Sequence, residues 1–172
     1  TIETSWALAG NQFIGLSEEN IVECDHTDDG CGGGDPGTAF AWLAQSQNGC
    51  LSSEKSYPYT SGDGYTGSCK HSLIDKAAHV SGHADVSHNE EKMAAYLAEH
   101  GQLSICVAAS SWMNYESGVL TDCYHSQVDH CVGLVAYNLS APTKYWQVRN
   151  SWGTSWGEAG YMRMIRGKDM CG

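Results

Sequence analysis

The chain has 172 residues, 41% of them hydrophobic, and sets 20 acidic side chains against 9 basic ones for a formal net charge of −11. That is enough apolar material for one domain or for two small lobes sharing a core. Without a Lys/Arg cluster to neutralise phosphates, nucleic acid is excluded as a partner; no run nears the ~18 continuous apolar residues of a membrane helix, and no signal peptide is visible.

Taken in chain order, Ile2, Trp6 and Ala9 share one face of a first helix. LSEENIVEC predicts a second, capped by Ser17, with acidic residues in its first turn. DPGTAFAWLAQSQ predicts a third, with Pro36 at its start and Phe40, Leu43 and Ala44 at helical spacing. Between the last two lies DDGCGGGDPG, a glycine-rich loop whose backbone can approach a ligand closely. SYPYTSGDGYTGSC is aromatic and turn-rich, without a regular period. The character changes near residue 81. SHNEEKMAAYLAEHG predicts an amphipathic helix with Ser87 and Glu90 as a capping box, Met93 and Leu97 facing inward, and Gly101 ending it. Four strand-like runs follow: QLSICVA, VDHCVGLVAY, KYWQVRN and GYMRMIR. The order predicts a helical lobe over 1–80 and an antiparallel β lobe over 81–172, an α+β arrangement. The chain opens on what reads as mid-helix and stops directly after a cysteine, so it is expected to belong to a longer protein.

Eight cysteines at wide, irregular spacing favour disulfides and synthesis in an oxidising compartment. The sequon at Asn138 fits the same route, and acidic balance with eight histidines suits work at low pH. Two motifs lose on inspection. GTSWG matches a hydrolase nucleophile elbow, but no histidine follows Ser155 and the segment after it reads as a strand. Cys24, His26, Cys31, Cys69 and His71 offer zinc ligands, yet no tight Cys-x2-Cys pair is present, so no metal site is expected.

His130 is the residue that gathers support. An isolated histidine at a strand start is ordinarily a hydrogen-bonded structural one. Here QVRNSWGTSWGEAGY places an amide, Asn150, at a strand end ahead of two indoles. A catalytic imidazole needs an acceptor on its second nitrogen, which an amide oxygen supplies. An indole over that contact excludes water and strengthens it. A His–Asn pair suits a cysteine nucleophile, because a thiolate–imidazolium pair needs no carboxylate. Neighbouring strand residues project to opposite sides, so alternation speaks against Cys131, next to His130, as that nucleophile.

DGCGGG, SYPY, VDHCVGLVAY and RNSWGTSWGEAGYMRM, in that order, resemble the corresponding blocks of papain-family cysteine proteases. AAYLAEHG, SSWMNYESGVLTDC and the sequon after AY resemble the cathepsin L-like branch that includes cruzipain. The resemblance implies a two-lobe papain-like fold, a helical lobe packed on an antiparallel β-barrel lobe, with the active site between them. It implies that His130 is the catalytic histidine, Asn150 its orienting residue, Trp152 the indole over their contact and Trp156 an aromatic wall on the leaving-group side. Gly33 and Gly34 match the glycines that pair with an extended substrate, with the Asp129 carbonyl on the opposite rim. Asp35, Pro36, Cys106, Val128 and Cys131 match the lining of the main side-chain pocket. The acidic Asp35 either recruits a basic substrate side chain or points to solvent, the latter being the expectation.

The family's nucleophile cysteine falls upstream of Thr1, so this chain lacks it, together with the terminal strand beyond Gly172. The implied activity is a cysteine endopeptidase; the alternative is a non-catalytic relative that binds peptides or inhibitors. Cys24–Cys69 and Cys123–Cys171 match family disulfides, and Cys31 one whose partner lies upstream. Cys50, Cys106 and Cys131 have no family partner; Cys106 and Cys131 are expected as two buried thiols, with an extra bridge as the other possibility. No cofactor is implied. The implied partners are peptide or protein substrates, a pro-segment and cystatin-type inhibitors, for a monomer in a lysosomal, endosomal or secreted setting.

Overall fold

The computed structural model describes residues 1–123 and 127–172. The chain divides into two compact units, Ile2–Asp85 and Val86–Gly172, the latter counted with Thr1. Each has its own hydrophobic core.

In the first unit, α1 (Ile2–Leu8), α2 (Glu18–Cys24) and α3 (Pro36–Ser46) accompany a short antiparallel ladder of β1 (Cys50–Leu51) and β2 (Ala78–His79). Ile2 and Trp6 pack against the core of Leu16, Trp42, Leu43, Leu51, Tyr57 and Ala78, while Ala9 falls beyond the end of α1. Ser17 caps α2 as expected, its hydroxyl oxygen accepting from the Asn20 N–H at 2.9 Å. The turn it caps is not a solvated one, for Glu19, Asn20 and Glu23 are all buried. Pro36 is at the first position of α3, but Trp42 and Leu43 are its buried residues. Phe40 is half-exposed and stacks on His83, ring centroids 6.0 Å apart.

The second unit contains α4 (Glu90–His100) and a five-stranded sheet of β3 (Leu103–Val107), β4 (Val119–Leu120), β5 (His130–Asn138), β6 (Tyr145–Arg149) and β7 (Tyr161–Ile165). The strand order is β3-β5-β6-β7-β4. All four strand-like runs of the sequence are strands. The expected antiparallel barrel is not formed: β4 lies parallel to β7, and β3 and β4 are the two edges of an open mixed sheet among the described residues. A barrel needs its edge strands to pair, and two residues of β4 give no ladder on which to close.

The cap of α4 also differs from the expectation. Asn89, not Ser87, is the capping residue, its side-chain oxygen accepting from the Lys92 N–H at 3.0 Å. Glu90 is thereby released from a capping box and accepts instead from the Trp146 indole N–H at 2.8 Å. Gly101 ends the helix at φ 88°, donating to the Leu97 carbonyl. Ala94 and Leu97 enter the core, and Met93 packs at its margin.

Three disulfides are present among the described residues. Cys24–Cys69 and Cys123–Cys171 are the pairs that the resemblance implied. They close separations of 45 and 48 residues, each worth about 4 kcal/mol in the chain-entropy model. The expectation of two buried thiols at Cys106 and Cys131 is overturned: they form the third bridge. The reason is register, since β3 and β5 place these residues directly opposite each other, Cα atoms 4.0 Å apart. Cys31 and Cys50 have no disulfide partner among the described residues. No helix among the described residues is long and apolar enough to cross a membrane.

Candidate active site

His130 opens β5 opposite Val107 of β3. Asn150 follows β6 directly, its N–H donating to the Gly160 carbonyl at 3.0 Å. Strand pairing thus brings two residues 20 positions apart into contact, His130 Nε2 lying 2.8 Å from Asn150 Oδ1. Asn150 is buried, and the same oxygen accepts from the Ser151 N–H at 2.8 Å. Two donors on Oδ1 fix which way the amide faces, and an acceptor on Nε2 means that this nitrogen carries the proton. The other nitrogen, Nδ1, is left for proton transfer.

Trp152 stacks on the imidazole at 5.2 Å and 22°. Trp156 meets Trp152 edge-on at 5.2 Å and 78°. Sequence reasoning missed Trp112, which is fully buried and sets its ring edge-on to His130 at 6.3 Å and 80°. Its carbonyl accepts from the Trp156 indole N–H at 3.1 Å, and Tyr115 leans on Trp156 at 5.6 Å. Both aromatics lie in the loop after β3, where no period betrays burial; the only signal was their density in SSWMNY. The imidazole therefore sits among indoles, which lowers the local dielectric and strengthens the bond to Asn150.

The loop carrying Trp152 and Trp156 is held from its far end. Glu158 takes a forked pair of bonds from Arg163, Oε2 to Nε 2.9 Å and Oε1 to Nη2 2.5 Å, and accepts from the Gly118 N–H at 3.0 Å. The Arg163 bonds hold its carboxyl below the usual range against the opposing effect of burial. Gly157 needs φ 54°, and a Cβ there would meet the Tyr161 carbonyl at 2.6 Å. The GTSWG stretch leads into β7, a strand, as the rejection of a nucleophile elbow requires.

Asp129 donates its N–H to the Val107 carbonyl at 3.1 Å, and its carboxylate accepts from the Ala109 N–H at 2.8 Å; Val128 beside it is 48% exposed. Cys131 is bonded to Cys106 and is no free nucleophile. Asn138 ends β5, its side-chain oxygen accepting from the Ser140 and Ala141 N–H groups and its Nδ2 facing the Tyr145 hydroxyl.

In the first unit the glycine-rich loop is built on side chains. The Gly33 N–H donates to the Gly30 carbonyl and its own carbonyl accepts from Asp29, so both groups are occupied within the loop. The Gly34 N–H and carbonyl make no hydrogen bond among the described residues. A Cβ at Gly34 would lie 2.7 Å from the Asp28 carboxyl. Asp35 caps α3, accepting from the Gly37 and Thr38 N–H groups at 2.7 and 3.3 Å. That role was legible, because an aspartate directly before a proline is a helix-start signal. Cys31 anchors the loop by donating its N–H to Thr66 Oγ1 at 3.0 Å. Cys24 and Cys69 are joined to each other and unavailable as zinc ligands. Among the described residues no group of three or more His, Cys, Asp or Glu side chains is placed to hold a metal ion.

The family model for papain family cysteine proteases matches residues 1–172. The chain belongs to the papain family. It is 46% identical over 171 residues to cysteine proteinase B of Leishmania mexicana, covering 99% of this chain and 39% of that protein. It is 44% identical over 170 residues to a cysteine proteinase of Trypanosoma brucei brucei, covering 99% and 38%. Among solved structures, procathepsin L 3 of the Tenebrio molitor larval midgut superposes with a TM-score of 0.88 at 29% identity, over 99% of this chain and 57% of that one. Bromelain from Ananas comosus, in complex with the E64 inhibitor, gives 0.87 at 32%, over 99% and 80%. The papain-family fold expected from the motifs is thus the fold of this chain, which spans under two fifths of the length of these curated relatives.

Proposed function

We propose that this chain supplies the acid–base half of a cysteine endopeptidase, with the nucleophile a cysteine upstream of Thr1. The observation that carries the reading is the 2.8 Å contact of His130 Nε2 with Asn150 Oδ1 beneath the Trp152 ring. The thiolate attacks the peptide carbonyl, His130 Nδ1 gives its proton to the departing amine, and water then hydrolyses the acyl-enzyme with the imidazole as base. Asn150 keeps the ring aimed, and Trp156 walls the leaving-group side. On the substrate side, Gly34 has the backbone groups free to pair with an extended peptide, while Gly33 serves the turn. Val128, the Asp129 carbonyl and the Cys106–Cys131 bridge contribute further substrate contacts, as does Pro36; Asp35 acts as a helix cap. A pro-segment and cystatin-type inhibitors are the proposed partners of a monomer. Three disulfides support passage through an oxidising compartment to a lysosomal, endosomal or secreted destination.

The test is His130→Ala in the full-length protein. Loss of a positioned proton donor lowers kcat by about 10²- to 10⁴-fold, with the thermal midpoint unchanged within error. A folded variant that still cleaves peptides at the wild-type rate overturns the assignment. Labelling with an electrophilic cysteine-protease probe reads the nucleophile separately; a folded protein that takes no label is a non-catalytic relative.

A further inference from the structure

The first three residues of β5, His130, Cys131 and Val132, pair with β3 alone, because the β5–β6 register begins at Gly133. β3 is itself an edge strand. The imidazole on Asn150 therefore depends on how firmly a three-residue stretch is held to one neighbour. The Cys106–Cys131 bridge sits in the middle of that stretch, one residue from His130. It is also the one bridge of the three in which neither cysteine is buried. Cys24, Cys123 and Cys171 are 5, 7 and 1% exposed, so Cys123–Cys171 is buried at both ends and Cys24–Cys69 at one, Cys69 being half-buried, whereas Cys106 and Cys131 are both half-buried. Access at both ends lets a small thiol attack on either sulfur. Opening it leaves the sheet standing, since Leu103, Val107, Val132 and Leu134 remain in the core from both strands.

We propose that the Cys106–Cys131 bridge is a redox-controlled positioning element for His130. Closed, it staples the start of β5 to β3 and keeps the imidazole on Asn150. Opened by a low-molecular-weight thiol, it lets that stretch shift against β3, and the proton-transfer geometry loosens. The exchange balances. A thiolate attacks one sulfur of the bridge, the S–S bond breaks, and the released cysteine takes up a proton while a mixed disulfide forms on the other. A second thiolate displaces that cysteine, leaving two cysteine thiols and one low-molecular-weight disulfide, two electrons having passed to the bridge. Re-closure is the reverse reaction with that disulfide as oxidant.

The inference rests on the proposed role of His130, and its test separates the two. In the full-length protein, incubated across graded ratios of reduced to oxidised glutathione and then alkylated, mass spectrometry should find Cys106 and Cys131 labelled before Cys24, Cys69, Cys123 or Cys171. Opening together with the other bridges, or after them, overturns redox control. Next, Cys106→Ala/Cys131→Ala and the bulkier Cys106→Val/Cys131→Val are compared with wild type at a glutathione ratio where alkylation shows the bridge closed. Both should lose about tenfold in kcat, with a shifted pH–rate profile and a broadened His130 ring resonance. Restored kcat in the valine variant alone means that packing, not the bond, was at work, and overturns the idea. So does an unchanged ring resonance in both. Should the wild type prove inactive, the endopeptidase reading falls, while the alkylation order and the ring resonance still decide this one.

Discussion

Glu19 is a fully buried carboxylate that holds a loop by four hydrogen bonds. Its Oε2 accepts from the backbone N–H groups of Thr60 and Ser61 at 3.0 and 3.1 Å, and its Oε1 from their hydroxyls at 2.6 and 2.9 Å. In Glu19→Gln the amide oxygen stays on the two N–H groups, which cannot reverse. The amide NH2 turns to the hydroxyls, which can rotate to accept; the Ser61 proton already has the Tyr65 carbonyl at 2.8 Å as an alternative. What is lost is the charge on the two backbone bonds, which at about 1 kcal/mol each gives ~2 kcal/mol. Glu19→Ala leaves all four donors without this acceptor and should cost about 4 kcal/mol or more. Urea unfolding of the full-length protein at pH 7 measures both.

The pH dependence makes the test stricter. Burial alone would raise the Glu19 carboxyl, but the bonds from Thr60 and Ser61 outweigh it and hold the group below its ordinary 4.5. A carboxylate lowered on folding contributes stability that is fully present above the unfolded value and lost as pH falls through the folded one. The gap between wild type and Glu19→Gln should therefore close below pH 4.5, since the glutamine does not titrate. A gap as wide at pH 3 as at pH 7, or no gap at pH 7, refutes the reasoning.

Gly30→Ala meets both φ 53° and Thr66 Cγ2 at 2.4 Å from the added Cβ, so a loss of about 2 kcal/mol or more is expected in the same assay. Tyr57→Phe removes a buried hydroxyl that donates to Glu23 and accepts from the Lys70 N–H at 2.8 Å; it should cost about 1–3 kcal/mol. Burial first, and then the bond to Glu23, push this phenol up to about 12, so tyrosinate absorbance should show it un-ionised at pH 11 in the folded state. Asn150→Ala leaves the imidazole in place but unaimed. Losing a bond to a charged group, about 1.5–3 kcal/mol, lowers kcat by roughly ten- to a hundredfold with an altered pH–rate profile; an identical profile would argue against the orienting role.

Local chemistry carried much of this protein without help. The four long strands and the cap at Ser17 follow from alternation and hydrogen-bonding side chains, and His130 and Asn150 could be paired because one stands at a strand start and the other at a strand end directly ahead of the indole-rich loop. Trp112 could not be read as a neighbour of His130, because burial in an irregular loop leaves no period in the sequence. The cap of α4 is Asn89 and not Ser87, and the carboxylate of Glu90 is taken by Trp146, 56 residues away, a contact that no local pattern announces. The two-residue strands β1, β2 and β4 exist only because partners found them. Cys106 and Cys131 show the division most plainly. The resemblance left Cys106 and Cys131 without family partners, with two buried thiols as the expectation and an extra bridge as the other possibility. The register of β3 on β5 set them face to face, and register is decided by which apolar faces the whole sheet buries, not by any residue in it.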